Sequence, residues 1–261
     1  MNLIEMVKAA GVVGAGGAGF PTHVKLNTNV EYFIVNAAEC EPLIETDKYL
    51  CRTFADRIIR TIPQIAEAIG ASKKVIALKG AYEKEIAALK VAIREQNSDV
   101  EIFELGYFYP AGDEQTLIQQ VTGRCVPERG LPSDVGCVVD NVGTVLNIAD
   151  ALEGKAVTEK YLSVVGEVEH PIQLRVPIGT PVLECVKAAH PTVSDFALIM
   201  GGPMMGKQLI EQAAMEQAVV TKTTGNILVL PKDHYLFRKA SLPMETVRKQ
   251  TKSACLQCKM C

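Results

Sequence analysis

The sequence predicts a layered α/β domain with parallel strands, followed by a smaller domain of mixed strands and helix. Three observations lead to this fold class. The 261 residues suffice for one or two domains. Strand-like and helix-like segments alternate as far as about residue 154, which is typical of a parallel sheet. Beyond that point the pattern becomes that of a hairpin, and the alternation ends.

Each element of the first domain is predicted from its length and periodicity. Short apolar runs bounded by polar residues predict strands, whereas apolar residues three or four positions apart predict helices. A short helical pattern at residues 3–7 begins the chain. The strands are predicted at 32–36, 74–79, 100–105 and 137–140, and the helices at 47–69, 82–95, 113–121 and 142–152.

The second part of the chain is predicted to be a small α+β unit. Two strands at 161–168 and 172–176 form a hairpin pattern around Glu169-His170-Pro171. From Asp233 onward the chain is polar and basic, and we interpret it as a linker that leads to a cysteine cluster. The remaining elements are a helix at 181–189 and strands at 196–200 and 227–230.

Composition and charge exclude several classes of protein. With 48% hydrophobic and 22% charged residues, the chain is not of the disordered kind. Its net charge of −3 and its lack of tryptophan argue against binding to nucleic acid. No apolar run is long enough to span a bilayer. Because five glycines interrupt the apolar segment 9–20, we expect no secretory signal there and a cytoplasmic protein.

Three of the eight cysteines stand together as Cys255-x2-Cys258-x2-Cys261. This spacing matches the first three ligands of the bacterial ferredoxin pattern C-x2-C-x2-C-x3-C-P. A zinc site more often has two C-x2-C pairs or added histidines, and an incidental cluster is the third alternative. The other cysteines are scattered and are expected to be reduced thiols. Because the chain stops at the third cysteine, we expect a truncated or processed protein.

Residues 14–20, with the sequence GAGGAGF, form a candidate ligand loop. Glycines allow backbone N–H groups to approach a phosphate or a polarised ring closely. A dinucleotide-binding fingerprint would place this loop between a strand and the next helix. Here a short helix precedes the loop and the first strand follows it, so the usual Rossmann assignment is weak. A merely flexible loop is the alternative.

A second candidate segment is NAAECEP, at residues 36–42, directly after the first strand. Ligands of α/β sheets bind beyond the carboxyl ends of strands. The amide of Asn36 and the carboxylates of Glu39 and Glu41 would suit a ring or a ribose. An ordinary acidic loop is an equal alternative from this segment alone. The four histidines follow no ligand spacing, which favours surface or structural roles.

Six segments in a fixed order resemble one known family. They are GVVGAGGAGFPTHVKL (11–26), VNAAECEP (35–42), YPAGDEQTLI (109–118), DNVGTVLNI (140–148), GGPMMG (201–206) and SACLQCKMC (253–261). This set resembles the RnfC-like electron-transfer flavoproteins, which are related to the flavin-binding subunit of respiratory complex I. Within that family the resemblance is strongest to the cobalamin reductases of propanediol-utilisation microcompartments.

The resemblance implies three domains. They are a Rossmann-like α/β domain that binds FMN and NADH at residues 1–156, a β-grasp domain of the soluble-ligand-binding (SLBB) kind at 157–235, and a linker with the start of a truncated 4Fe–4S domain at 236–261. The fourth ligand of the 4Fe–4S cluster, and a second cluster, would then lie outside this chain.

The family's motifs also imply site residues. Phe20 and Glu41 match positions beside the nicotinamide cofactor, while Asn141 and Thr144 match positions at the FMN phosphate. Cys255, Cys258 and Cys261 are the implied cluster ligands. The full set implied to bind cofactors is Gly14, Gly16, Gly17, Gly19, Phe20, Lys25, Asn36, Glu39, Glu41, Gly112, Asp113, Glu114, Asn141 and Thr144.

The second candidate segment departs from the family motif at two positions. Ala38 stands where the family has an aspartate, and Cys40 stands where it has a glycine. We therefore expect the hydrogen bonds to the flavin ring to differ from those of the family.

The resemblance implies an NADH-oxidising FMN and iron–sulfur protein that reduces cobalamin, as cob(III)alamin or cob(II)alamin, or a downstream electron carrier. Its implied partners are a cobalamin-dependent diol dehydratase system and a microcompartment shell protein, with a location inside a bacterial microcompartment. Two alternatives stay open at this point. One is an RnfC-type protein that couples NADH and ferredoxin, and the other is a non-enzymatic docking or ligand-binding module. Flavin content would distinguish the last from the first two.

Overall fold

The computed structural model describes residues 1–257, which form two sheets with helices packed against them. Two of the three clustered cysteines, Cys258 and Cys261, lie outside the described residues. Within the described part of the chain, none of the helices has the length and apolar character needed to cross a bilayer.

The first sheet is parallel throughout, as predicted. Its strands are β1 (Tyr32–Asn36), β2 (Lys73–Lys79), β3 (Glu101–Leu105) and β4 (Cys137–Asn141), in the spatial order β3-β2-β1-β4. Each begins and ends within one residue of its predicted range, because short buried runs with polar ends leave little ambiguity in length.

Seven α-helices and one 3₁₀ helix (Pro132–Val135) accompany the first sheet among the described residues. One difference from the prediction concerns the helix expected at 47–69, which is two helices separated at Phe54. The Phe54 backbone leaves the helical region (φ −122°, ψ 23°), and its ring packs against Tyr161 at 5.4 Å between ring centroids. The helices are α1 (Leu3–Ala9), α2 (Thr22–Lys25), α3 (Thr46–Thr53), α4 (Ala55–Ala68), α5 (Glu83–Glu95), α6 (Glu114–Thr122) and α7 (Val142–Leu152).

Both faces of the first sheet are buried, which is why its strands are apolar runs without alternation. Phe33 and Val35 point into the larger core beneath α4 and α7. Ile34 points to the opposite face, where Leu117 and Ile118 of α6 cover it. The helices thus enclose the sheet and leave its strand ends open to loops.

The second sheet contains five strands of mixed direction. It consists of β5 (Glu159–Gly166), β6 (Ile172–Pro177), β7 (Phe196–Met200), β8 (Lys207–Leu209) and β9 (Asn226–Pro231), in the order β6-β5-β9-β7-β8. The hairpin of β5 and β6 was predicted, and β5 pairs in parallel with β9 at the centre. Helices α8 (Val182–Ala188) and α9 (Gln212–Gln217) pack on it. The assignment of this unit to the β-grasp domains stays a prediction.

The segment predicted as a linker contains two helices, α10 (Tyr235–Ala240) and α11 (Met244–Ala254). Phe237 is buried against Ile199 and Leu228, and this contact fixes α10 on the second sheet. Helix α11 buries none of its residues, which agrees with its polar and basic composition. Cys255 follows it and is exposed.

Candidate functional site

The strand order of the first sheet reverses between β1 and β4. The chain proceeds from β1 outward to β2 and β3, then returns to the other side of β1. Asn36 and Asn141, the last residues of the two strands, lie opposite each other in register. Open α/β sheets bind ligands at such a reversal, beyond the carboxyl ends of the strands. Most of the residues predicted from the motifs gather at this edge.

The glycine loop (residues 14–20) closes on itself and lies against the start of α7. The Gly14 N–H donates to the Phe20 carbonyl at 2.9 Å, and Val13 pairs with Pro21. A Cβ on Gly16 would lie only 3.3 Å from the Asn141 side chain. Gly17 has φ +117°, a conformation that favours glycine. The loop therefore depends on glycine for both its shape and its close approach to α7.

The backbone of the glycine loop has the features of an anion site. The N–H groups of residues 16–19 make no well-aligned hydrogen bond to the described residues. The first of these residues, Gly16, lies next to the N-terminus of α7, whose first turn Asn141 caps by accepting from the Gly143 N–H at 2.8 Å. Free N–H groups and a helix N-terminus both favour a phosphate group. These residues fit a phosphate-bearing cofactor such as FMN.

Four further predicted residues form two contacting pairs at the same edge. The Lys25 ammonium donates to Glu114 at 2.8 Å and to the Val139 carbonyl at 2.7 Å. The Asn36 amide donates to the Gly112 carbonyl at 2.8 Å. Gly112 packs so closely on the Ala38 carbonyl that no side chain would fit there. The segments around residues 25, 36 and 112 thus form one surface.

Some predicted residues have structural partners in this structure. The Asp113 carboxylate caps α6 by accepting from the Thr116 N–H at 2.9 Å. Phe20 stands at the end of the loop and is half exposed. The buried Thr144 hydroxyl accepts from the Ala15 N–H at 2.9 Å. Thr144 would therefore act on a ligand through the glycine loop.

Glu39 is a predicted site residue with an altered acidity. Burial, together with the negative charges of Asp47 and Glu41, raises the pKa of Glu39 to about 7. One carboxylate oxygen of Glu39 accepts from the Glu41 N–H at 2.9 Å, which opposes the shift. The group can therefore hold or release a proton near neutral pH at the edge where the predicted residues gather.

Glu41 points to the second sheet. Its two carboxylate oxygens accept from the N–H groups of Met204 and Met205, at 2.8 and 3.0 Å. Gly202 lies so close to the Glu41 carboxylate that a side chain there would overlap it. These contacts give the GGPMMG segment (201–206) a structural role, because its backbone N–H groups bind the acidic segment that follows β1. The predicted contact of Glu41 with a nicotinamide cofactor stays a prediction.

Asp140 is a buried acid that the motif analysis did not select. It is 3% exposed, lies 3.9 Å from the Lys25 ammonium, and its Oδ2 atom has no hydrogen-bond partner among the described residues. Burial raises its pKa to about 7, although Lys25 opposes the shift. A single acid inside the strand CVVDN was the only sequence signal available.

Lys160 is a second buried charge that the sequence analysis missed. It lies in β5, is 8% exposed, and donates to the Ala15 carbonyl at 3.1 Å. Burial lowers its pKa to about 8, while the negative charge of Asp47 opposes the shift. Asp47 in turn accepts from the Asn141 amide at 2.7 Å. A lysine from the second sheet thus contacts the glycine loop of the first.

A cleft of about 160 Å³ lies behind the glycine loop, between α3, α7 and the second sheet. Its volume is below the roughly 300–1,000 Å³ typical of cofactor pockets. Its charges are largely paired, as in the contacts of Arg57 with Asp150 at 2.9 Å and of Arg175 with Glu159 at 2.5 Å. Of the predicted site residues, Asn141 alone lines this cleft.

The predicted cluster ligands are described only in part. Cys255 is exposed after α11, and Cys258 and Cys261 lie outside the described residues. Among residues 1–257 no group of three or more histidine, cysteine, aspartate or glutamate side chains has the arrangement of a metal site. The iron–sulfur assignment stays a prediction.

Residues 7–150 match the family described as the Nuo51 FMN-binding domain. The chain is 46% identical to the cobalamin reductase PduS of Citrobacter freundii, over 98% of this chain and 56% of that relative. It is 34% identical to a component of the Na⁺-translocating ferredoxin:NAD⁺ oxidoreductase complex of Acetobacterium woodii, over 98% of this chain and 56% of that relative. The chain spans little more than half the length of these relatives.

The fold is also similar to solved structures. A chain of the NAD⁺-reducing NiFe hydrogenase, in its H2-reduced crystal structure, superposes with a TM-score of 0.77 and 25% sequence identity. The similarity covers 89% of this chain and 47% of that chain. It therefore includes the second sheet as well as the first.

Replacing Gly16 by valine should weaken FMN binding by at least about tenfold, or about 1.4 kcal/mol. The new side chain would displace Asn141 and block the close approach of the loop backbone. Titration of FMN fluorescence measures the effect. Gly225→Ala is the control, since a Cβ at Gly225 meets nothing within 4 Å. Unchanged affinity in Gly16→Val would disprove the assignment of the loop.

Replacing Glu41 by glutamine should loosen the loop at residues 202–205. One carboxylate oxygen becomes an NH2 group, so only one of the two N–H groups keeps its acceptor, and the charge is lost. We expect faster amide exchange at Met204 and Met205 and a loss of about 0.5–1.5 kcal/mol in unfolding free energy. The exposed Glu211, changed to glutamine, serves as the control. Equal exchange in both variants would contradict the assignment.

Replacing Asp140 by asparagine should flatten the dependence of stability on pH. The folded protein holds a proton on Asp140 up to about pH 7, whereas an unfolded aspartate loses it near about pH 3.9. Stability from this group is therefore full at low pH and lost as the pH rises through 7.

We expect the Asp140→Asn variant to lose about 2–3 kcal/mol less than the wild type between about pH 5 and pH 8. Urea unfolding across this range measures the difference. The exposed Asp233, changed to asparagine, should follow the wild type. An unchanged slope in Asp140→Asn would mean that Asp140 is ionised throughout this range.

Proposed function

The chain belongs to the Nuo51 FMN-binding family, and we propose that it binds FMN and transfers electrons from NADH to cobalamin. We further propose that the electrons pass through a 4Fe–4S cluster and that the protein serves a cobalamin-dependent diol dehydratase inside a bacterial microcompartment. A shell protein of the microcompartment would then be a partner. The named relatives support this choice, since the cobalamin reductase of Citrobacter freundii is 46% identical over nearly the whole chain.

One observation carries the FMN proposal. The glycine loop presents the N–H groups of residues 16–19 without partners among the described residues, beside the N-terminus of α7 and at the reversal of strand order. Each feature alone occurs in proteins that bind no flavin. Together, in a chain of an FMN-binding family, they support a site for a flavin phosphate.

The chain's own residues have distinct tasks under this proposal. The glycine loop and the first turn of α7 would bind the phosphate group. Asn36, Glu39 and the backbone of Gly112 would border the ring, with Lys25 held in place by Glu114. Phe20, half exposed at the end of the loop, offers a flat apolar surface to a nicotinamide ring.

Proton handling is the second task of these residues. FMN supplies the chemistry of accepting a hydride and passing on single electrons, which iron–sulfur clusters can carry. A carboxyl group with a pKa near neutrality exchanges protons efficiently at the same pH. Burial raises the pKa of Glu39 and of Asp140 to about 7. Both carboxyl groups are therefore suited to hold or release protons when the charge at the site changes.

Electrons would leave the flavin through a 4Fe–4S cluster bound by Cys255, Cys258 and Cys261. Their C-x2-C-x2-C spacing suits three of the four corners of a 4Fe–4S cluster. Cys255 is exposed after α11.

A second candidate function is that of an RnfC-type protein, which would exchange electrons between NADH and ferredoxin. The identity of 34% with the Acetobacterium woodii relative, over 98% of this chain, supports it. The higher identity with cobalamin reductases favours the first candidate. A non-enzymatic docking module is the third, and flavin binding distinguishes it from the other two.

The visible spectrum of the protein, after it is mixed with FMN and desalted, is the first test. We expect retained flavin absorption that bleaches when NADH is added without oxygen. Addition of cob(III)alamin or of oxidised ferredoxin should then restore the flavin bands, and the acceptor that does so faster distinguishes the two enzymatic candidates.

The other outcomes have clear meanings. Retained flavin that NADH does not bleach would contradict NADH as the donor. Absence of retained flavin in the full-length protein would contradict the FMN proposal and favour the docking module.

A further inference from the structure

Two lysines of the second-sheet region hold carbonyl groups of the glycine loop and of the segment just before it. Lys160 of β5 donates to the Ala15 carbonyl at 3.1 Å, and Lys222 donates to the Gly11 carbonyl. Thr223, next to Lys222, has its methyl group 3.1 Å from where a Cβ of Gly19 would lie. The second-sheet region thus touches this part of the chain at its beginning, middle and end.

Lys160 is the most deeply buried of these contacts. The residue is 8% exposed, and its hydrogen bond to Ala15 connects positions 145 residues apart. Taking an ammonium group out of water costs several kcal/mol unless partners compensate for it. The negative charge of Asp47 offsets part of this cost, and the bond to the Ala15 carbonyl is the one hydrogen bond of the ammonium group among the described residues.

Both peptide groups of Ala15 are held. Its N–H donates to the Thr144 hydroxyl at 2.9 Å, and its carbonyl accepts from Lys160. A trans peptide group is planar, with its C=O and N–H pointing in opposite directions. The bond from Lys160 to the Ala15 carbonyl therefore also directs the N–H of Gly16, which points away from Lys160. Gly16 is the first of the loop residues whose N–H has no well-aligned partner in the described chain.

We propose that Lys160 is a positioning residue for the flavin: by holding the Ala15 carbonyl it orients the Gly16 N–H toward the cofactor. The second sheet is then a part of the flavin site and not only a neighbour of it. This inference rests on the proposed function, which supplies FMN as the ligand. The hydrogen bond from Lys160 to the loop lies within the protein and does not depend on FMN.

Hydrogen exchange of the hydrogen-bonded loop amides, those of Gly14 and Ala15, measured by NMR without FMN, tests the holding of the loop. Lys160→Met keeps the length of the side chain and removes the donor, and we expect about tenfold faster exchange there. Lys160→Arg keeps a charged donor and should restore slow exchange. Lys155→Met, an exposed lysine lining the same cleft, is the matched control and should behave as the wild type.

FMN titration of the same proteins tests the effect on the cofactor. We expect Lys160→Met to weaken FMN binding by about tenfold, with Lys160→Arg close to the wild type. Should Lys160→Met not fold, the double variant Lys160→Met, Asp47→Asn removes the carboxylate left without its cation, and it is compared with Asp47→Asn alone because Asp47 contacts Asn141.

The outcomes separate the two proposals. Unchanged exchange and unchanged FMN affinity in Lys160→Met would overturn the role of Lys160. A loosened loop in a protein whose wild type binds no FMN would support the holding of the loop and overturn the FMN function. A loosened loop with unchanged FMN affinity would overturn the positioning of the cofactor.

Discussion

The pairing of β1 with β4 places Asn36 opposite Asn141, and the arrangement of the candidate site depends on it. Asn36 reaches the segment before α6, while Asn141 caps α7 and contacts Asp47. The glycine loop lies against the same side chain of Asn141. If β1 and β4 paired in another register, the glycine loop and the acidic segment after β1 would not lie at the same edge of the sheet. One pair of backbone positions thus gathers segments from four parts of the chain.

Burial of charge at this edge is the second constraint. Asp140, Lys160 and Glu39 are all withdrawn from water to different degrees, and each pKa moves toward neutrality. Such groups reduce the stability of the folded state, because an apolar residue would be less costly in each place. Under the proposed function, such groups would serve a site that binds a charged cofactor and exchanges protons. The two hydrophobic cores that flank the first sheet offset this loss of stability.

The sequence was sufficient for elements whose length and periodicity are unambiguous. All four strands of the first sheet were predicted within one residue, and the motifs selected most residues of the candidate edge. The sequence pattern did not predict the break at Phe54, where the helix ends because the ring packs on Tyr161. It also did not predict β8, because a strand of three residues is too short to be recognised. Glu41 and Lys160 gave no signal of their partners, since each bonds to a segment about 145 or more residues away.

The family match ends at residue 150, yet side chains beyond it hold the glycine loop and the segment just before it. The region that the family match covers is therefore smaller than the region whose side chains hold the loop in place. Exchange of the second sheet between relatives, by recombination or by design, would preserve every motif of the first sheet and still replace the groups that support its loop. Selection acting on the loop would then extend to positions such as 160 and 222, which no motif contains.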